Sequence, residues 1–306
     1  MSDAPPPLAP GDLLAGKYEI ERMLGQGGMA IVFAARHVDL DERVAIKVLR
    51  TDLGGDVDDV VRRFLREAKA AAKIRSEHVA RVSDVGRLDS GTPYMVMEYL
   101  EGCDLEELQQ RHGRLEIEQT IVYVLQACEA LAEAHALGIV HRDLKPANLF
   151  LSTRADGSPC VKVLDFGISK FTGPGSGTRT SSKGMLGSPI YMSPEQIRSV
   201  KDIDARTDVW SIGVILFELL AETPPFPAEN LTKLVMKIVT DPPLSIQSIR
   251  DDVPPELEAV ILRCLVKDRQ ERYQDVGALS AALWPFAPEG RLSAERIARV
   301  LARKPR

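Results

Sequence analysis

The periodicity of the apolar residues changes once along this 306-residue chain, near Glu101 and Gly102, and that change constrains the fold more than any other feature. Before it, residues 18–24, 31–37, 43–49, 80–86 and 94–99 form short runs separated by turn formers such as Asp89-Ser90-Gly91. Such runs read as strands. One stretch among them, 58–73, carries Val60, Val61, Phe64, Leu65 and Ala68 at helical spacing. Beyond Gly102 the helical period dominates, over 104–112, 117–137, 208–220, 229–240, 256–265 and 276–283. A mixed stretch of strand-like pieces and loops fills 138–168. The expected class is α+β, with a small antiparallel-sheet lobe holding one main helix and a larger, mainly helical lobe.

The most apolar run, 209–221 (VWSIGVILFELLA), is too short to span a bilayer and is interrupted by Glu218. It reads as a buried helix, and the chain as soluble. Formal charge is −5, which argues against a dedicated nucleic-acid partner. The four cysteines, Cys103, Cys128, Cys160 and Cys264, form no CxxC pair, which fits a reducing compartment, and no signal peptide opens the chain. A cytoplasmic location is expected. The expected divisions are an irregular Pro-rich lead-in at 1–17, a domain at 18–285 (lobes 18–100 and 101–285), and a basic helical tail at 286–306. From Arg291 onward the tail has six Lys or Arg against one Glu. Leu292, Ile297, Val300 and Leu301 give it a partial apolar face, for packing on the helical lobe or for an acidic partner or membrane surface, with a solvated terminal helix as the alternative. Residues 173–187 are rich in Gly, Ser and Thr and read as a long loop.

Three groups of residues carry chemistry. Gly25-Gln26-Gly27-Gly28-Met29-Ala30-Ile31-Val32 lies between two strands, where glycines let backbone N–H groups approach phosphates. No Gly-Lys-Ser/Thr follows, so it is not a Walker A loop. Lys47, in the apolar run Val44-Ala45-Ile46-Lys47-Val48, needs a counter-charge if it faces inward. Glu67 supplies one, because its neighbours Phe64 and Ala68 would face the sheet. Third come His141-Arg142-Asp143-Leu144-Lys145-Pro146-Ala147-Asn148 and Asp165-Phe166-Gly167. A carboxylate can orient a hydroxyl or take its proton. A second carboxylate and an amide oxygen suit Mg²⁺, and a lysine can neutralise a phosphoryl group in transfer.

In this order the motifs resemble those of protein kinases, in particular the eukaryotic-like (Hanks-type) serine/threonine kinases of bacteria, over residues 18–283. The resemblance implies a two-lobed protein kinase fold and transfer of the ATP γ-phosphoryl to Ser or Thr of a protein substrate. It implies nucleotide contacts from Leu24, Gly25, Gln26, Gly27, Gly28, Met29, Ala30, Val32 and Ala45. Lys47 would hold the α- and β-phosphates and pair with Glu67. Asp143 would be the catalytic base, and Lys145 would contact the γ-phosphate. Asn148 and Asp165 would hold Mg²⁺, with Mn²⁺ as an alternative. Met97 would be the gatekeeper, the backbone of Glu98 and Leu100 would read adenine, and Asp104 would reach the ribose. Asp208 would brace the catalytic loop, and Arg272 would pair with Glu195.

The sequence departs from the family pattern at Ala30 (third glycine), Ser193 (usually Ala), Asp268-Arg269 (usually Asp-Pro) and Ala71, where a large apolar residue is usual. Arg142 calls for an anionic partner, and the loop after Gly167 offers only hydroxyls up to Ser188. By alignment Thr180 and Ser182 are the expected phosphorylation sites, with Arg62, Arg63 or Arg66 joining Arg142. A transient homodimer would serve phosphorylation in trans. The rival is a pseudokinase scaffold that binds ATP without transfer. Its usual mark, loss of the Lys, the catalytic Asp or the metal Asp, is absent here.

Overall fold

A computed structural model describes residues 7–50, 57–166, 188–198 and 203–303, which divide into two compact units. The first comprises Met1–Lys73 and Ala80–Glu101. Its sheet is antiparallel throughout, in the order β1-β2-β3-β4-β6-β5. The strands are β1 (Leu13–Leu14), β2 (Tyr18–Gln26), β3 (Ala30–His37), β4 (Glu42–Leu49), β5 (Val82–Arg87) and β6 (Pro93–Glu98). Ile20, Phe33, Ile46, Val48 and Val96 alternate inward to make one apolar face. Within the stretch read as an irregular lead-in, Leu13 pairs with Glu19 and Leu14 with Tyr18, and Leu14 is buried in that core. Helix α1 (Val57–Ala71) opens with Asp58 and Asp59 and closes with Lys69, each favourable to the helix dipole. Its Phe64 and Ala68 pack with Leu49 and Met95, and Ala71 is half-buried.

The second unit comprises Ile74–Val79 and Gly102–Arg306. Its helices are α2 (Leu105–His112), α3 (Ile117–Ala136), α4 (Pro194–Ile197), α5 (Arg206–Ala221), α6 (Leu231–Thr240), α7 (Pro255–Cys264), α8 (Val276–Leu283) and α9 (Arg291–Leu301). The run read as a buried helix is α5, whose Val209, Trp210, Ile212, Val214, Ile215, Leu216 and Phe217 are all inaccessible. Gly213 allows its close approach to the following helices, since a Cβ there would lie 2.5 Å from Cys264 Cβ. Glu218, the residue interrupting the apolar run, accepts a hydrogen bond from the Tyr191 hydroxyl at 2.5 Å. Among the described residues no helix is long and apolar enough to cross a membrane. In the tail, Ile297 is buried and packs with Val300 and Leu301 on the helical core, whereas Leu292 is exposed.

A small sheet, β7 (Gly102–Asp104), β8 (Leu149–Thr153) and β9 (Pro159–Val163), resolves part of the mixed stretch. Because β8 and β9 are antiparallel neighbours with Leu149 opposite Val163, the residues just before β8 and just after β9 meet at one end of the hairpin. Those residues include Asn148 and Asp165.

Candidate active site

In the first unit, β2 and β3 join through a turn at 27–29, closed by the Gly27 N–H donating to the Ala30 carbonyl at 2.8 Å. Gly25, Gly27 and Gly28 all lie outside the positive-φ region. A Cβ on Gly25 or Gly28 would meet nothing within 4 Å. Neither backbone strain nor internal packing asks for glycine at these two positions, which leaves the surface over them open to close approach. Leu24 and Met29 are exposed, Ala30 is buried, and Val32 is half-buried. Gln26 ends β2 opposite Ile31.

Lys47 lies in the middle of β4, opposite Val32 on one side and Met95 on the other. Its Nζ donates to Glu67 Oε1 at 2.7 Å, with both side chains at most 15% exposed. Phe64 and Ala68 hold the inner face of α1 to the sheet, and Glu67 between them is carried inward. On the same strand Ala45 is buried opposite Met97, which packs with the Leu49, Phe64 and Met95 cluster. The Glu98 N–H donates to the Arg81 carbonyl at 3.0 Å, and Glu98 Oε1 accepts from the Arg81 N–H at 2.9 Å. That N–H is therefore committed inside the protein. Leu100 is half-buried. Arg62 and Arg63 both pair with Asp59 on their own helix, and Arg66 is exposed.

In the second unit the loop 141–148 is built around Asp208. This carboxylate, wholly buried on α5, accepts from the backbone N–H of His141 and of Arg142, each at 2.9 Å, and from His135 Nε2 at 2.7 Å. Burial pushes its carboxyl up, but His135 and these N–H groups win and hold it below the ordinary range. Three donors to one carboxylate offset the loss of its water. His141 is orientated in turn: Nδ1 accepts from the Asp143 N–H at 3.3 Å, Nε2 donates to the Leu164 carbonyl at 3.0 Å, and its ring lies 4.9 Å from that of Phe166. Arg142 has a left-handed backbone, φ +67, directly before Asp143.

Asn148 donates its amide Nδ2–H to the Asp143 carbonyl at 2.8 Å, and its own carbonyl accepts from the Leu164 N–H at 2.9 Å. The first bond fixes the amide, leaving Oδ1 as its acceptor end. Asp165, exposed and at φ +51, follows Leu164 directly. Hard oxygen donors on two adjacent strand ends suit a divalent cation that keeps some of its water. Lys145 is half-buried on the same loop. Asp104 caps α2, accepting from the Glu107 N–H at 2.8 Å through one carboxylate oxygen.

Farther along, Ser193 and Gln196 form a capping box at the start of α4. Glu195 is buried against Arg272 in a two-pronged pair of 2.8 and 2.9 Å, and Thr207 Oγ1 donates to it at 3.0 Å. Burial favours the neutral acid, but the arginine wins and the carboxyl is lowered. Gly167, Gly187, the stretch 173–187 and the candidate phosphorylation sites Thr180 and Ser182 lie outside the described residues. Sequence reasoning missed His135 and Gln196. Their bonds to α5 and to the 141–148 loop join residues more than fifty positions apart, which leaves no local pattern to read.

The protein kinase domain family matches residues 18–284. The chain is 36% identical over 299 residues to the serine/threonine-protein kinase PknB of Mycolicibacterium smegmatis, covering 94% of this chain and 47% of that protein. It is 38% identical over 285 residues to the serine/threonine-protein kinase pkn3 of Myxococcus xanthus, covering 92% and 52%. It therefore spans about half the length of these relatives. Among solved structures, the Mycobacterium tuberculosis PknI kinase domain superposes with a TM-score of 0.70 at 28% identity, over 92% of this chain and all of that one.

Proposed function

The chain belongs to the protein kinase family, and from that premise we propose that it transfers the γ-phosphoryl group of ATP to serine or threonine hydroxyls of proteins in bacterial signalling. The observation that carries this reading is the loop 141–148, pinned by Asp208 so that Asp143, Lys145 and Asn148 are held on one short, strained segment beside Asp165. Lys47, held by Glu67, is the phosphate-binding lysine. Asp143 orients the acceptor hydroxyl and takes its proton, and Lys145 balances charge on the phosphoryl group. Asn148 and Asp165 are the residues that fit Mg²⁺, which when bound neutralises phosphate charge. Met97, the Glu98 carbonyl and the Leu100 N–H face the base, and Asp104 the ribose. The enzyme works in the cytoplasm and modifies itself in trans at Thr180 and Ser182, whose phosphates pair with Arg142.

Mass spectrometry after incubation with Mg-ATP tests the reading. Phosphate on Ser or Thr of the chain or of a generic acceptor, absent with Asp143→Asn, is the expected result. Nucleotide binding with no transfer would instead make it a pseudokinase scaffold.

The glycine hairpin gives a separable expectation. Gly25→Val fills space that the protein itself leaves open, in a strand that tolerates a β-branched residue. Its unfolding free energy should stay within about 0.5 kcal/mol of wild type, while KM for ATP rises several-fold. An unchanged KM would remove the hairpin from the nucleotide site.

A further inference from the structure

Among the described residues, the side chain of Gln196 hydrogen-bonds the α4 segment to the catalytic loop. It is 2% exposed, and every polar atom of its amide is engaged. Oε1 accepts from the Ser193 N–H at 3.0 Å. Nε2 crosses to the loop and donates to the carbonyl of Arg142 at 2.8 Å. The partners fix the orientation of the amide, with oxygen facing a donor and nitrogen facing a carbonyl.

That carbonyl belongs to the peptide joining Arg142 to Asp143. Arg142 is held at φ +67, a conformation that L-residues keep only when their surroundings enforce it. Asp208 clamps the N–H of Arg142 at 2.9 Å. That N–H lies in the preceding peptide; Gln196 clamps the carbonyl of the next one, whose own N–H, that of Asp143, donates to His141 Nδ1 at 3.3 Å, so the peptide plane that aims Asp143 is held at both ends. Capping alone does not explain the residue type. A glutamate at this third helical position completes a capping box as well as a glutamine does, but an ionised glutamate cannot donate to a carbonyl.

We propose that Gln196 is a positioning residue for phosphoryl transfer, tying the 193–198 segment to the Arg142–Asp143 peptide so that the two keep one register. The proposal rests on the kinase reading above. The far side of that segment is anchored separately, by Ser193 and Glu195 to Thr207. The Gln196 bond is thus a route by which a shift of the segment is passed to the catalytic loop.

Two variants and two readouts test it. Gln196→Met keeps the bulk and removes the donor. It should lower kcat by roughly 10- to 100-fold, the scale of a small misplacement of a catalytic group, with KM for ATP nearly unchanged. Gln196→Glu keeps the cap but has its donor only when protonated. Its kcat relative to wild type should recover as pH falls through the range in which the new carboxyl takes up a proton. Amide exchange is the second readout. The amides of Arg142, Asp143 and Leu144 should exchange faster in Gln196→Met, and this arm needs no transfer activity. A wild type that transfers no phosphate but shows this change would sink the kinase reading and leave the loop clamp standing. A kcat within twofold of wild type in Gln196→Met overturns the proposal. So does a Gln196→Glu profile parallel to wild type, or unchanged exchange at 142–144. If neither variant folds, Gln196 serves the fold and the proposal fails.

Discussion

Replacing Arg272 with alanine is expected to remove about 3–5 kcal/mol of folding stability, the scale of breaking a buried pair by deleting one partner. The guanidinium side chain is inaccessible and makes five hydrogen bonds. Nε donates to the Val266 carbonyl at 2.7 Å, Nη1 to Glu195 at 2.8 Å and to the Arg206 carbonyl at 3.2 Å, and Nη2 to Glu195 at 2.9 Å and to the Lys267 carbonyl at 3.1 Å. It also lies over the Trp210 ring at 5.0 Å. Without it, Glu195 keeps Thr207, its own backbone and the charge of Arg206, and three half-buried carbonyls lose a donor. Against a typical total of about 5–15 kcal/mol, such a loss takes the variant close to unfolding. Urea denaturation with an unchanged m-value measures it. A loss below about 1 kcal/mol, the value of an exposed pair, would mean that the pair contributes nothing through its burial.

The pH dependence has a definite sign. The Glu195 carboxyl is held below its ordinary 4.5 in the fold. Its contribution is therefore complete above 4.5 and is lost as pH falls through the lower folded value. In Arg272→Ala the carboxyl loses the two-pronged guanidinium that does most to hold it down, so acid should destabilise that variant less steeply than wild type.

What the sequence made legible follows from how local each signal is. Lys47 and Glu67 could be paired because strand and helix periods each point a residue inward, and Phe64 and Ala68 mark the inner face of α1. The burial of α5 was legible because it is apolar on every side. Strand β1 was not, because two residues among prolines and glycines show no alternation. The β7–β9 sheet was only partly visible, since its strands are five residues or shorter. The clamps on the catalytic loop were illegible except by resemblance. Asp208 and Gln196 act on backbone atoms far away in sequence, and His135 on the Asp208 carboxylate, and a side chain bound to so distant a group imposes no pattern on its neighbours. Ala71 reads in the sequence as weak packing behind α1; Phe64 and Ala68 are the residues of that helix buried against Leu49 and Met95.

Asp143→Asn is expected to lower the transfer rate by about 10²–10⁴-fold, the usual contribution of a positioned general base, while the chain remains folded. Asparagine has the size of aspartate, so packing is preserved. The backbone bonds around this position, from the Asp143 N–H to His141 Nδ1 and from Asn148 Nδ2 to the Asp143 carbonyl, do not depend on the substituted group. In the proposed role, what is lost is the ability to accept a proton from the attacking hydroxyl. Nucleotide binding should persist, because that role serves the acceptor rather than ATP. Asp165→Asn should behave differently. It replaces a charged oxygen donor with a neutral one beside the Asn148 amide, so affinity for Mg-ATP should fall together with the rate. Single-turnover transfer to a generic Ser/Thr acceptor, paired with nucleotide titration of each variant, separates the two roles. Two variants that lose rate and nucleotide affinity in the same proportion would show that Asp143 and Asp165 do not divide the work as assigned. An Asp143→Asn enzyme within tenfold of wild type would remove Asp143 as the base, since neither its fold nor its access to nucleotide would have changed.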